Sequence, residues 1–357
     1  MDRPKIPVNL ILARLAADAE QAKKRLEKAK DIFLGPLNTD IGSTPYEAVY
    51  QEDRVGLKYY RPAKIRLKTP VLLVHGLFNR ETLLDLQPDR SMVQNFLREG
   101  LEVYLVDWGS PTRRDQFLTL DDHINGYLDN MVDFIRRRHG VAKVNLMGVC
   151  LGGTFGVIYA ALYPEKISNL ITTVAPIHFD TPKGLLHIWV KEIGIDHLVN
   201  AFGNLPGNLV NMAFLLMNPP RLMLDKYIGF LENIDNKEFV ENFIRMEKWI
   251  FDSPDVPGET ARQMLKDLYQ ENRLVHNEMV VGRRVNLKEL TMPLLNIYAQ
   301  YDHLVPPEAC EVLTKTASTL DSRDICLDSG HIGIYVSAKF QREIVPTIVA
   351  WLEDRDG

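Results

Sequence analysis

The chain alternates short, mainly apolar runs with amphipathic stretches over much of its length. The runs have the length and composition of buried strands, and the stretches that separate them, such as Met92 to Glu99, Asp122 to His139 and Thr154 to Leu162, have helical spacing. The predicted strands are Val71–Val74, Val103–Val106, Val144–Met147, Leu170–Val174 and Leu294–Tyr298. This alternation predicts an α/β fold with a mainly parallel central sheet flanked by helices.

The alternation stops between residues 179 and 286. Clusters of Pro, Asn and Gly, at residues 203–207 and 218–220, separate helical pieces that are rich in Leu, Phe, Met and Trp. The apolar content is too high for a disordered linker. We therefore predict an inserted helical cap at 179–286, and an α/β core made of residues 41–178 and 287–357.

The first 40 residues precede the alternating strands and helices and show a different pattern of apolar positions. Apolar residues recur at near-helical spacing from Asn9 to Leu34, and Gly35-Pro36 is a helix-stop signal. This predicts an amphipathic helix outside the main sheet. It either packs on its own chain or docks on another one.

Composition narrows the classes of partner and compartment. The chain has 357 residues and a net charge of −5, so no global basic field favours nucleic acid. No signal-peptide pattern and no long uncharged apolar run is found, so we expect neither export nor a membrane span. Three scattered cysteines fit a reducing cytoplasm, and no metal site is expected because zinc-ligand spacing is absent.

One motif points to nucleophilic catalysis. Gly148–Gly153, with the sequence GVCLGG, follows a predicted strand and opens a predicted helix, which is the context of a nucleophile elbow with Cys150 in the nucleophile position. Small neighbours permit the sharp turn, and the start of a helix favours a thiolate. Cys310 and Cys326 lack such glycines and are interpreted as structural.

An elbow of this kind needs an acid and a histidine further along the chain, in that order. Asp302 follows the last predicted strand, and His331 lies in a turn-rich segment near the C-terminus. His75 and His303 are the competing candidates for the base. For the oxyanion hole we predict the backbone N–H groups of Leu151, which follows the nucleophile, and of Leu77, in the loop after the first predicted strand.

Together these residues resemble the catalytic subunit of class III polyhydroxyalkanoate synthases, within the α/β-hydrolase superfamily. Beyond the cysteine elbow, the resemblance rests on Leu118–Asp122, Ile124–Tyr127, Arg245–Pro254, Asp302–Pro307 and Gly330–Val336. It implies an α/β-hydrolase fold with a helical lid. It also implies polymerisation of (R)-3-hydroxyacyl-coenzyme A, such as 3-hydroxybutyryl-coenzyme A, with release of coenzyme A and without a separate cofactor.

The resemblance further implies a mechanism and partners. His331 would take the proton of Cys150, the thiolate would attack the substrate thioester, and Asp302 would either activate the attacking hydroxyl or orient His331. A homodimer, a second non-catalytic subunit and a cytoplasmic location on polyester granules are also expected.

Two other functions stay open at this point. His75-Gly76 is more typical of ordinary hydrolases, so a cysteine-dependent hydrolase or simple acyltransferase on the same fold is the second hypothesis. The apolar cap and the amphipathic N-terminus suggest the third, a non-catalytic granule-binding protein.

Overall fold

The computed structural model describes residues 8–356, and within that range eight strands form one sheet. Two further short strands, β7 (Val280–Val281) and β8 (Arg283–Arg284), pair separately as a hairpin. The strands of the main sheet are β1 (Glu47–Glu52), β2 (Val55–Tyr60), β3 (Val71–Val74), β4 (Val103–Asp107), β5 (Val144–Val149), β6 (Ile167–Thr173), β9 (Leu294–Ala299) and β10 (Ser322–Leu327).

The order across the sheet is β1-β2-β4-β3-β5-β6-β9-β10. All neighbours from β4 to β10 pair in parallel, whereas β1 and β2 pair with each other, and β2 with β4, in antiparallel fashion. Every residue of β3, β5 and β9 is buried, as expected for parallel strands covered on both faces. The α/β-hydrolase fold class is therefore confirmed, and so is each strand that the apolar runs predicted.

Helices occur before the sheet, between its strands, in the long connection between β6 and β9, and after the last strand, β10. Three π-helical stretches, at Asp122–Leu128, Pro220–Asp225 and Met264–Gln270, adjoin them. The α-helices are α1 (Val8–Leu34), α2 (Met92–Arg98), α3 (Asp129–His139), α4 (Leu151–Leu162), α5 (Leu185–Lys191), α6 (Ile195–Phe202), α7 (Gly207–Met217), α8 (Lys226–Glu232), α9 (Lys237–Phe251), α10 (Gly258–Gln263), α11 (Pro307–Thr316), α12 (Gly333–Val336) and α13 (Ala338–Glu353).

Helix α4 is the most deeply placed helix of the core, because all of its residues are buried. It starts immediately after β5 and packs on β5 and β6. Its three glycines keep the side of the helix that meets the sheet narrow. A Cβ on Gly152 would clash with the carbonyl oxygen of Val74, and one on Gly148 would clash with the backbone of Gly153. The amino end of α4 is thereby held against the ends of β3 and β5.

The chain divides into two compact units. One combines the described residues up to Asp40 with Asn218–Lys248, and within it Lys28 pairs with Asp235 at 3.8 Å and the N–H of Asn38 donates to Glu241 at 2.9 Å. The other unit is Ile41–Met217 together with the residues from Trp249 onward, and it contains the sheet. The cap boundaries 179–286 stay a prediction.

In the part of the chain that the structure describes, no helix combines the length and the apolar character that a bilayer crossing requires.

Candidate active site

Cys150 occupies the sharp turn between β5 and α4. Its backbone has φ 53° and ψ −128°, which is a strained conformation for a residue with a side chain. Its N–H donates to the carbonyl oxygen of Thr173, at the end of β6, at 2.9 Å. The turn brings the thiol to the amino end of helix α4.

Asp302 and His331 lie together although 29 positions separate them in the sequence. Asp302 follows β9 and His331 follows β10, and these strands are parallel neighbours, so their carboxyl ends meet at one edge of the sheet. Nδ1 of His331 lies 2.6 Å from Oδ2 of Asp302. Oδ1 of Asp302 accepts the N–H groups of Leu304 and Val305, each at 2.9 Å.

The thiol of Cys150 lies close enough to the imidazole of His331 to influence its ionisation, so the three predicted residues share one site. Burial by itself disfavours the imidazolium. The negative charges of Asp302 and Cys150, together with hydrogen bonds to both, outweigh burial and raise the pKa of His331 well above its ordinary value. The arrangement therefore favours the protonated imidazole of His331.

Of the two competing histidines, His75 lies near His331, but its pKa is shifted in the opposite direction. Its Nδ1 is 3.0 Å from the carbonyl oxygen of Gly76. Burial lowers the pKa of His75 to about 4, and the nearby His331 adds to this effect. His75 is thus a neutral ring near the site, whereas the carboxylate of Asp302 is bonded to His331. His303 is half-buried beside Asp302.

The loop after β3 lies beside the start of α4, as an oxyanion hole requires. A Cβ on Gly76 would be 3.4 Å from Cβ of Leu151 and 3.7 Å from its backbone nitrogen. Nε1 of Trp108 donates to the carbonyl oxygen of His75 at 2.7 Å and fixes this loop. Leu77 is buried. Donation to an oxyanion by the N–H groups of Leu77 and Leu151 stays a prediction.

The roles of three side chains near the nucleophile, those of Tyr335, Thr173 and Tyr269, were not anticipated. The hydroxyl of Tyr335 contacts Thr173, whose carbonyl oxygen accepts the N–H of Cys150. Tyr269 is buried, and its ring packs edge-on against that of Phe179 with the ring centroids 4.7 Å apart. Burial and the charge of Cys150 raise the pKa of Tyr269. Tyr335 had a signal in the sequence, because it follows His331 by one helical turn, whereas Tyr269 lies in the long connection between strands and had none.

Among residues 8–356, no group of three or more His, Cys, Asp or Glu side chains is arranged to bind a metal ion. The polar groups around Cys150 are instead linked to one another by direct hydrogen bonds.

Comparison with known proteins shows the family of this chain. Residues 69–338 match the family model of the alpha/beta hydrolase fold. The chain is 44% identical over 353 residues to the poly(3-hydroxyalkanoate) polymerase subunit PhaC of Allochromatium vinosum, with 98% of this chain and 99% of that protein covered. It is 46% identical over 333 residues to the subunit of the same name from a Synechocystis species, with 89% and 88% covered.

Solved structures resemble the chain in fold alone. A monoacylglycerol lipase from Paleococcus ferrophilus superposes with a TM-score of 0.55 at 18% identity, over 84% of this chain and 99% of that one. The extent and level of identity to the polymerase subunits are much greater. This chain belongs to the poly(3-hydroxyalkanoate) polymerase PhaC family, within the alpha/beta hydrolase fold.

Proposed function

We propose that this chain is a poly(3-hydroxyalkanoate) synthase that joins 3-hydroxyacyl units from coenzyme A thioesters through an acyl-Cys150 intermediate. The observation that carries the proposal is the hydrogen-bonded pair of His331 and Asp302 beside the Cys150 turn, at the carboxyl edge of the sheet. The PhaC relatives support the reaction class. The cysteine mechanism is inferred from the geometry.

The first step transfers an acyl group to sulfur. His331 accepts the proton of the Cys150 thiol, and the thiolate attacks the carbonyl carbon of the substrate thioester. A carbon–sulfur bond to Cys150 forms. The bond to the sulfur of coenzyme A then breaks, and the proton held on His331 passes to the departing thiolate.

Negative charge develops on the carbonyl oxygen during this attack. The backbone N–H of Leu151 follows the nucleophile, and the Gly76 loop lies against Leu151. We assign the oxyanion to the N–H groups of Leu151 and Leu77, because fixed backbone donors stabilise such a charge without reorganisation.

The second step forms the ester bond of the polymer. The hydroxyl of one acyl unit attacks the thioester carbonyl of another, a carbon–sulfur bond breaks, and the hydroxyl proton leaves with the thiolate sulfur. The buried carboxylate of Asp302 already accepts three hydrogen bonds, from His331, Leu304 and Val305. This favours a role in orienting His331 over direct activation of the substrate hydroxyl.

The substrate preference and the assembly are part of the same proposal. The family resemblance favours short acyl chains such as 3-hydroxybutyryl, a homodimer, a second non-catalytic subunit and attachment to polyester granules. The relatives are themselves named as polymerase subunits, which supports an assembly. Size-exclusion chromatography with light scattering, with and without a candidate second subunit, tests this part.

The test of the function is incubation with 3-hydroxybutyryl-coenzyme A, with and without a second subunit. Thiol release and insoluble polyester are measured together, in the wild type and in Cys150→Ala. We expect both products from the wild type and neither from the variant. Free 3-hydroxybutyrate without polymer under both conditions would favour a hydrolase, and full thiol release by Cys150→Ala would overturn the cysteine mechanism.

A further inference from the structure

Two strained residues lie at the ends of neighbouring parallel strands. Cys150 has φ 53° after β5, and Val174 has φ 43° after β6. A positive φ is a rare outlier for a β-branched residue such as valine, because its Cβ crowds the backbone. Such strain persists only where the surroundings hold it in place.

The peptide group that joins Thr173 to Val174 is hydrogen-bonded on both sides. Its carbonyl oxygen accepts the N–H of Cys150 at 2.9 Å. The next residue, Val174, donates its N–H to the carbonyl oxygen of Ile297 in β9 at 2.8 Å. The backbone of the nucleophile is therefore anchored on a peptide group that is itself at a strained strand end.

Tyr335 holds the other side of Thr173. Its hydroxyl lies 2.9 Å from Oγ1 of Thr173 and 3.2 Å from the carbonyl oxygen of Thr173, and the phenol is only 1% exposed. If the phenol donates to the carbonyl oxygen, Oγ1 can donate to the phenol, so both hydroxyl protons are used. The same carbonyl oxygen thus serves Tyr335 and Cys150.

Tyr335 belongs to the segment that carries the base. It lies in α12, four positions after His331, and its N–H donates to Ile332 at 2.9 Å. Nε2 of Gln341 donates to the carbonyl oxygen of Tyr335 at 2.6 Å and ties this turn to α13. The phenol is therefore a direct connection between the His331 segment and the peptide that positions Cys150.

We propose that Tyr335 is a positioning residue which, through Thr173, holds the backbone of Cys150 in register with His331. This inference rests on the proposed function of Cys150 as the nucleophile. Without the phenol, the end of β6 and the elbow can relax independently of α12. The thiol and the imidazole then spend less time at the separation that proton transfer needs.

The test is a double-mutant cycle on Tyr335→Phe and Thr173→Val. Single-turnover acylation of Cys150 by 3-hydroxybutyryl-coenzyme A is measured in each single variant and in the double variant. We expect each single change to lower the acylation rate about tenfold, since small misplacements of reacting groups are costly, with little change in KM. The double variant should be no slower than the slower single one, because both changes remove the contact between the phenol and Oγ1 of Thr173.

Tyr127→Phe is the matched control. The Tyr127 hydroxyl is likewise on a mostly buried ring, and it donates to Asp53 at 2.8 Å. We expect this control to keep acylation within about twofold even if its urea midpoint falls as much as that of Tyr335→Phe. If the acylation rate fell in proportion to the urea midpoint in both tyrosine variants, Tyr335 would have only a structural role, and the proposal would be overturned.

A second comparison covers the case in which Tyr335→Phe does not fold. Thr173→Ser keeps the hydroxyl and Thr173→Val removes it. We expect the serine variant to acylate near the wild-type rate and the valine variant to be about tenfold slower. Equal rates for the two would sink the inference. Activity in Cys150→Ala would instead sink the proposed function, so the two failures are distinguishable.

Discussion

The carboxylate of Asp302 bonds to His331 through one oxygen, at 2.6 Å, and to two backbone N–H groups through the other. The side chain of Asp302 is fully buried, while that of His331 is 6% exposed. Because this carboxylate is enclosed and bonded to Nδ1, it fixes which nitrogen of the imidazole is directed toward Cys150. The histidine is the member of the pair that can reach a substrate.

Asp302→Asn should therefore impair acylation itself. The amide keeps an acceptor for the backbone N–H groups but presents N–H groups to Nδ1, which favours the wrong tautomer of His331 and lowers its pKa. We expect single-turnover coenzyme A release to fall about 10³- to 10⁴-fold. Asp321→Asn, which alters an exposed pair with Arg355, is the control. Normal acylation with lost polymerisation would assign Asp302 to the substrate hydroxyl instead.

Cys150→Ser should lose most of the polymerisation. A serine hydroxyl is far harder to ionise than a thiol, and the partner histidine is held in surroundings that favour an adjacent anion. We expect turnover with 3-hydroxybutyryl-coenzyme A to fall about 100-fold or more. Cys326→Ser is the matched change at an exposed thiol and should leave turnover unchanged. A serine variant that works at a near-normal rate would contradict the sulfur mechanism.

Gly152→Ala should destabilise the core, because the added methyl group meets the backbone of Val74 and His75, which cannot move aside as a flexible side chain could. We expect a loss of more than about 2 kcal/mol in the free energy of unfolding in urea. Gly126→Ala is the control, since open space surrounds that position. It should be neutral or stabilising by about 0.5 kcal/mol. Equal midpoints for both variants would mean that α4 does not pack so closely.

The pH dependence of stability should carry the signature of His75. Burial lowers its pKa to about 4 in the folded chain, so between pH 6.5 and 4 the unfolded chain binds a proton that the folded chain does not. Stability should therefore fall as the pH falls through this window, by up to about 3 kcal/mol from this group. Urea unfolding at several pH values should show a flatter acid limb in His75→Gln.

His331 acts in the opposite sense. Its pKa is raised in the folded chain, so its contribution to stability is complete below its unfolded pKa and is lost as the pH rises through the folded value. The alkaline limb of the same unfolding series should thus flatten in His331→Gln.

An acid limb that is unchanged by His75→Gln would show that His75 is not the buried neutral ring described above.

The interior strands were predictable because each is a short apolar run covered on both faces. Strands β1, β2 and β10 were not predicted. In β1 and β10 most residues are exposed or half-buried, and charged residues such as Glu47 and Asp324 interrupt any apolar run. Edge strands gain their place from pairing with a neighbour, which the local pattern does not contain.

The site divides in the same way. Cys150 and Asp302 each follow a predicted strand, so the topology of a parallel sheet was enough to expect them near one another. His331 follows β10, which was not predicted, and was assigned from the chain order of nucleophile, acid and histidine. No role could be assigned to Tyr269, or to Tyr335 beyond its position one helical turn after His331, because their importance depends on what their hydroxyls and rings contact in the folded chain. The sequence predicts Thr173 as part of a strand. Its role in holding the backbone of Cys150 arises only from the register between β5 and β6.

The three thiols of the chain differ in a way that has a practical use. Burial raises the pKa of Cys310 well above its ordinary value, and burial with the nearby Glu311 raises the pKa of Cys326. Few thiolates are present at either position near neutral pH. Alkylation of Cys310 and Cys326 should thus be slow near neutral pH, so a loss of acylation on treatment with a limiting amount of an alkylating reagent can be assigned to Cys150 without replacing either of the other two cysteines.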